Sequence, residues 1–228
     1  MKKKFVFLSS FLLMLFILVN PTYAKTFSEA TAENPYKITT IGDSITYSAT
    51  YAAILDKLDN CTVENLGWCG TQVAGKAEHS FVNRTRNLKT DSDMILILGG
   101  TNDYRGVNDL QNDIGAENSK DIRTFYGAYN TMIKNLRKNN PYAKIVIVAP
   151  IKRCYGYELN RYGYSLANYA QAAQIVAMNN GLDFIDLYND KNCDFTENDL
   201  LIDGLHPNQD GHKIIADEIL RYIGIKNL

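Results

Sequence analysis

Two uninterrupted apolar pentads, Met94–Leu98 (MILIL) and Ile145–Ala149 (IVIVA), constrain the fold more than any other feature of the chain. A strand with one wet face alternates apolar and polar residues. A short run with no polar residue suits a strand covered on both faces, as in a parallel sheet. Ile38–Ile41, Thr62–Leu66 and Phe184–Leu187 supply three further strand candidates. Helical spacing fills the gaps. Tyr51–Leu58 forms one helix candidate. Phe125, Tyr129, Met132, Ile133 and Leu136 mark a second, closed by Asn139-Asn140-Pro141. Leu166, Tyr169, Ala173, Val176 and Ala177 mark a third, stopped at Asn180-Gly181, and Ile215, Ile219, Tyr222 and Ile223 a fourth. Strands alternating with helices imply βαβ units, right-handed crossovers and an α/β fold with helices on both faces of one sheet.

Charge and termini narrow the function. The formal charge of −1 over 228 residues lacks the basic excess that a nucleic-acid partner requires. Lys2, Lys3 and Lys4 precede an apolar run from Phe5 to Val19, broken only by Ser9 and Ser10; Pro21 and Thr22-Tyr23-Ala24 follow. This reads as a secretory signal peptide over 1–24, cleaved after Ala24, with one domain over 25–228 and a secreted or extracytoplasmic location. The alternative is an uncleaved anchor, although the run is short for a span of about 20 residues. After cleavage no stable membrane insertion is expected. Loss of the three lysines moves the formal charge from −1 to −4. Cys61, Cys69, Cys154 and Cys193 all lie in the remainder, and none has CxxC spacing, so no zinc site is expected.

In a parallel sheet, sites form beyond the carboxyl ends of the strands. There the chain carries Gly42-Asp43-Ser44, Asn65-Leu66-Gly67-Trp68-Cys69-Gly70 and Gly99-Gly100-Thr101-Asn102-Asp103. Asp203-Gly204-Leu205-His206-Pro207 precedes the last helix. Acyl transfer needs a nucleophile, a base, a group that orients the base, and oxyanion donors. Ser44, His206 and Asp203 suit the first three roles. The Ser44 and Gly70 N–H groups and the Asn102 amide suit the last, with Gly67 or Gly75 as the competing tight-turn glycine. Asp43 reads as a loop brace, His79 as solvated and His212 as structural.

These four blocks, in this order, resemble the SGNH hydrolases of the GDSL esterase/lipase superfamily, in a secreted bacterial form, with Ile45 where the GDSL name has Leu. The resemblance implies a three-layer α/β/α sandwich on a flavodoxin-like five-stranded parallel sheet, and ester hydrolysis without metal or cofactor. It implies Ser44 as nucleophile, His206 as base, Asp203 as its orienting acid, and Ser44, Gly70 and Asn102 as the oxyanion hole. The sheet order it implies makes the fourth and fifth strands neighbours, and with them a Cys154–Cys193 bridge.

Trp68 and the tyrosine-rich loop with Tyr155 and Tyr157 offer aromatic faces near the site, which suit sugar rings. The expected partner is therefore an acylated small molecule or glycan, and the expected reaction O-deacetylation. A lipase, lysophospholipase or short-chain esterase would use the same machinery, as would an acyltransferase; a non-catalytic glycan-binding module is the remaining class. Gly70–Lys76 imitates a phosphate-binding loop, but Ala77 lacks the magnesium-holding hydroxyl. Thr46 breaks a GxSxG elbow. The acidic run from Asp183 to Asp199 lacks EF-hand spacing and reads as a solvated loop.

Overall fold

The computed structural model describes residues 25–47, 50–105, 111–196 and 199–225. The expected signal segment, 1–24, lies outside the described residues. Among them, five strands form one all-parallel sheet: β1 (Tyr36–Gly42), β2 (Cys61–Gly67), β3 (Met94–Leu98), β4 (Lys144–Val148) and β5 (Asp183–Ile185). The order β2-β1-β3-β4-β5 is flavodoxin-like, with its switch point between β1 and β3. The helices are α1 (Ser44–Tyr47), α2 (Thr50–Asp56), α3 (Phe81–Arg84), α4 (Thr101–Arg105), α5 (Phe125–Asn139), α6 (Leu166–Asn180) and α7 (Gln209–Tyr222).

The apolar pentads divide their side chains between two cores, as strand periodicity requires. Ile95, Ile97, Ile145 and Ile147 face one core, with Phe125, Tyr129 and Met132 of α5 and Tyr169, Ala173 and Val176 of α6. Met94, Leu96, Leu98, Val146 and Val148 face the other, with Tyr51 and Leu55 of α2 and Ile215 and Ile219 of α7. The result is a three-layer sandwich. No described helix is long and apolar enough to cross a membrane.

Local chemistry sets the helix ends. The Thr124 hydroxyl accepts the Gly127 N–H at 3.3 Å at the start of α5, and the Asn208 side-chain Oδ1 accepts the Gly211 N–H at 2.9 Å at the start of α7. Gly181 closes α6 in the left-handed region at φ 56°.

The expected Cys154–Cys193 bridge is absent; all four cysteines are free thiols. Cys193 is fully buried in the core beneath α7. Cys154 lies in the turn after β4, where its N–H donates to the Gly204 carbonyl at 2.8 Å. Neighbouring strands bring the two loops together but leave the thiols facing different surroundings.

Candidate active site

Register aligns the strand ends: Gly42 pairs with Gly67 on one side and Leu98 on the other. The polar blocks that follow β1, β2 and β3 therefore meet at one edge. The turn out of β1 is tight. A Cβ on Gly42 would lie 1.8 Å from Thr46 Oγ1, and one on Gly67 would lie 2.3 Å from the Tyr47 nitrogen. Asp43 is fully buried; its carbonyl accepts the Thr46 and Tyr47 N–H groups at 3.2 and 2.8 Å, and Oδ1 accepts the Ile45 N–H at 3.0 Å. The brace expected of Asp43 is what the geometry shows. It folds the chain into α1, with Ser44 first. Asn65 adds a strut from β2, donating to the Thr46 carbonyl at 2.8 Å.

Ser44 Oγ lies 2.9 Å from His206 Nε2, and His206 Nδ1 lies 2.7 Å from Asp203 Oδ2. The second carboxylate oxygen, Oδ1, accepts the backbone N–H groups of His206 at 2.8 Å and Leu205 at 3.0 Å. One carboxylate thus fixes both the ring and the backbone that carries it. The same bonds hold the Asp203 carboxyl down to about 2, the His206 backbone N–H first. It is ionised across the neutral range, and an ionised partner at Nδ1 selects the tautomer whose Nε2 can accept a hydrogen bond from the Ser44 hydroxyl. Leu201 and Pro207 close this loop by an antiparallel bridge, and Ile202 N–H donates to the His206 carbonyl at 2.8 Å.

The second and third blocks are laced together. Gly70 occupies the left-handed region at φ 70°, in the turn after β2. Gly67 instead ends β2 against the Tyr47 backbone, and Gly75 lies further along at φ 120°. Asn102, buried in the first turn of α4, donates through Nδ2 to the Thr71 carbonyl at 2.9 Å, beside Gly70. Gln72 returns a bond to the Asn102 carbonyl at 2.9 Å. Asp103 is fully buried and accepts the Val73 and Ala74 N–H groups at 2.8 and 2.9 Å. Burial pushes the Asp43 and Asp103 carboxyls up to about 6.

Arg84 carried no sequence signal. Its guanidinium donates to the Leu66 carbonyl, to the Gly42 carbonyl at 2.8 Å and to the His79 carbonyl at 3.1 Å, clamping the ends of β1 and β2.

Exposed aromatics rim this edge. Tyr47 lies three residues after Ser44; Trp68 follows β2, and its backbone N–H donates to the Gly42 carbonyl at 3.0 Å. Trp68 stacks on His79 at 4.0 Å, so His79 is exposed but, against expectation, is not merely solvated. Tyr155 and Tyr157 are exposed, and their loop is tied to the Asp203–His206 loop through Cys154 and Gly204. Tyr104 fixes that loop from below, its hydroxyl lying 2.9 Å from the carbonyls of Tyr155 and Glu158. His212 is buried under α2, stacked near Tyr51, and burial pulls it down to about 4. Among the described residues one trio has metal-type donors in reach, Asp190, Cys193 and Glu218. Arg221, 2.7 Å from Glu218, already supplies positive charge there.

No curated protein matches the chain. Solved structures do. A Lactobacillus plantarum protein is 24% identical, with 85% of this chain and 99% of that one covered at a TM-score of 0.73. A member of the lipolytic G-D-S-L family from Veillonella parvula is 20% identical, covering 81% and 96% at 0.57. An acetyl xylan esterase from Geobacillus stearothermophilus is 20% identical, covering 85% and 96% at 0.56. These likenesses show the fold. The GDSL-like lipase/acylhydrolase family itself matches residues 40–214, a span that takes in every block of the site. The chain therefore belongs to that family, within the SGNH superfamily, and is a hydrolase of its type.

Proposed function

We propose that this chain is a secreted serine ester hydrolase that removes O-acetyl groups from a glycan. The hydrogen-bonded series Asp203–His206–Ser44, opening among exposed aromatics, carries the reading. Ser44 Oγ attacks the ester carbonyl as His206 Nε2 takes its proton. The resulting oxyanion is held by the N–H groups of Ser44 and Gly70 and by the Asn102 amide, whose other proton is spent on Thr71. His206 then protonates the departing sugar alcohol, leaving an acyl-Ser44. Water, deprotonated by His206, attacks the acyl carbon; the carboxylic acid leaves and Ser44 regains its proton. Asp203 stays ionised throughout and stabilises the imidazolium.

Trp68, Tyr155 and Tyr157 support a sugar rather than an acyl-chain surface, since flat rings with polar tips match pyranose faces. That a structurally similar protein is an acetyl xylan esterase agrees with this reading. The Lys2–Lys4 start and apolar run support export.

The test is turnover of p-nitrophenyl acetate, butyrate and octanoate by residues 25–228 and by Ser44→Ala. Acetate preference, with a loss of about a thousandfold or more in the variant, is expected. Octanoate preference would replace the deacetylase with a lipase. Equal rates for parent and variant would remove Ser44 from the reaction.

A further inference from the structure

Around α3 lies an open cleft of about 700 Å³ that the ester chemistry does not use. Lys76, Arg84 and Arg86 line it, with His79, Asn83 and Asn87 as further polar groups, and Glu78 is its one carboxylate. Three cations against one acid is a local excess of positive charge in a chain whose net charge is −1. Among the described residues, none of the three cations forms an ion pair. Asp121 is the carboxylate outside the cleft that senses Lys76, and it is already held by Arg123 at 2.5 Å. Asp43, behind the cleft, acts on Arg84 from the buried side. Lys76 and Arg86 are exposed, so their charges face solvent within the concavity.

The cleft is joined to the reaction centre. His79, on its wall, forms the underside of the Trp68 stack. Arg84 and Trp68 donate to the same Gly42 carbonyl, at 2.8 and 3.0 Å. Gly42 stands two residues before Ser44, so their Cα atoms are at most about 7 Å apart. A polymer with an ester at Ser44 and a ring on Trp68 would therefore reach this cationic cleft on the His79 side of the stack. Concave surfaces of one sign concentrate their field and select the opposite charge. Arg and Lys donors bind carboxylate and phosphate by charge-assisted hydrogen bonds.

We propose that this cleft is an anion subsite, and that the substrate is a negatively charged glycan, carrying carboxylate or phosphate groups near the acyl ester, rather than a neutral one. The inference rests on the ester-hydrolase reading for the position of the ester, but its own test needs no turnover.

Ser44→Ala is titrated calorimetrically with hexagalacturonate, a phosphomannan fragment and xylohexaose. An anionic oligomer binds at least about tenfold more tightly than xylohexaose at low salt, and the advantage shrinks as salt screens it. Which anionic oligomer binds better names the charged group. Lys76→Glu with Arg86→Glu, introduced into the same background, removes the preference. Lys134→Glu, on the exposed face of α5, leaves it intact. If the double reversal shifts the melting midpoint, Lys76→Gln and Arg86→Gln are read singly, each reducing the preference. Equal binding of charged and neutral oligomers, binding of none, or a preference that survives charge reversal would overturn the subsite. Hydrolysis of p-nitrophenyl acetate by the parent without anion preference would sink the subsite and leave the hydrolase; anion preference without hydrolysis would do the reverse.

Discussion

Asp203 and Asp43 are both carboxylates at one sheet edge, and their surroundings push them in opposite directions. Asp203 is held low by His206 and Leu205 N–H donors, so its orienting charge persists to about pH 2. Asp203→Asn keeps the shape but replaces one acceptor with an amide donor facing Nδ1 or a backbone N–H. Turnover of p-nitrophenyl acetate should fall by about a hundredfold or more, with KM little changed. Asp43 and Asp103 are held high by burial. Their folded values, about 6, exceed the ordinary 3.8, so the unfolded chain releases these protons first. Their contribution to stability is greatest below about pH 4 and falls as pH rises through 6. The difference amounts to roughly 3 kcal/mol for each group at most. Asp43 Oδ2 has no hydrogen-bond partner among the described residues, whereas both Asp103 oxygens accept backbone N–H groups. Asp43→Asn should therefore flatten part of the decline in melting temperature between pH 4 and 7. Asp103→Asn should lower it at every pH, because one backbone donor loses its acceptor. A pH series of melting curves on both variants decides the point.

At the scale of elements, the strand ends depend on close approach. Gly67→Ala would drive a methyl into the Tyr47 backbone, behind the short helix that begins with Ser44. A loss of about 1–3 kcal/mol in urea unfolding is expected, with reduced turnover of short esters. What the sequence made legible follows the same logic. Met94–Leu98 reads to the residue because burial on both faces leaves one interpretation. The fifth strand, expected to reach Leu187, stops at Ile185: Asp186 takes the N–H groups of Tyr188 and Asn189 at 3.2 and 3.0 Å and turns the chain. The last helix starts at Gln209, ahead of its first apolar stripe residue, because the Asn208 cap precedes a polar first turn. Ser44, His206 and Asp203 were legible because the chemistry restricts residue type. Arg84 was not, since its partners are backbone carbonyls, two of them 18 and 42 residues away, and these carry no side-chain identity.

Across the whole molecule, the thiols report how the layers are closed. Cys61 and Cys193 are buried, and burial pushes both up to about 12, so they resist alkylation. Cys69 is exposed and Cys154 half-buried. An aromatic disulfide reagent should titrate Cys69 quickly, Cys154 more slowly, and the other two only on unfolding. Reductant should leave the melting temperature unchanged, because no bridge cross-links the fold. Strand adjacency alone suggests a bridge, but it fixes where loops lie and says nothing of where a side chain points.

The closed loop from Leu201 to Pro207 has a consequence for engineering. It holds Asp203 and His206 together, already bonded, behind its own backbone bridge. A graft of this pair onto another scaffold would have to carry that bridge and replace the Cys154 N–H that holds Gly204 from the neighbouring loop. Ser44 has no such enclosure: it owes its place to β1, β2 and α1 at once, and would have to be rebuilt wherever it was moved.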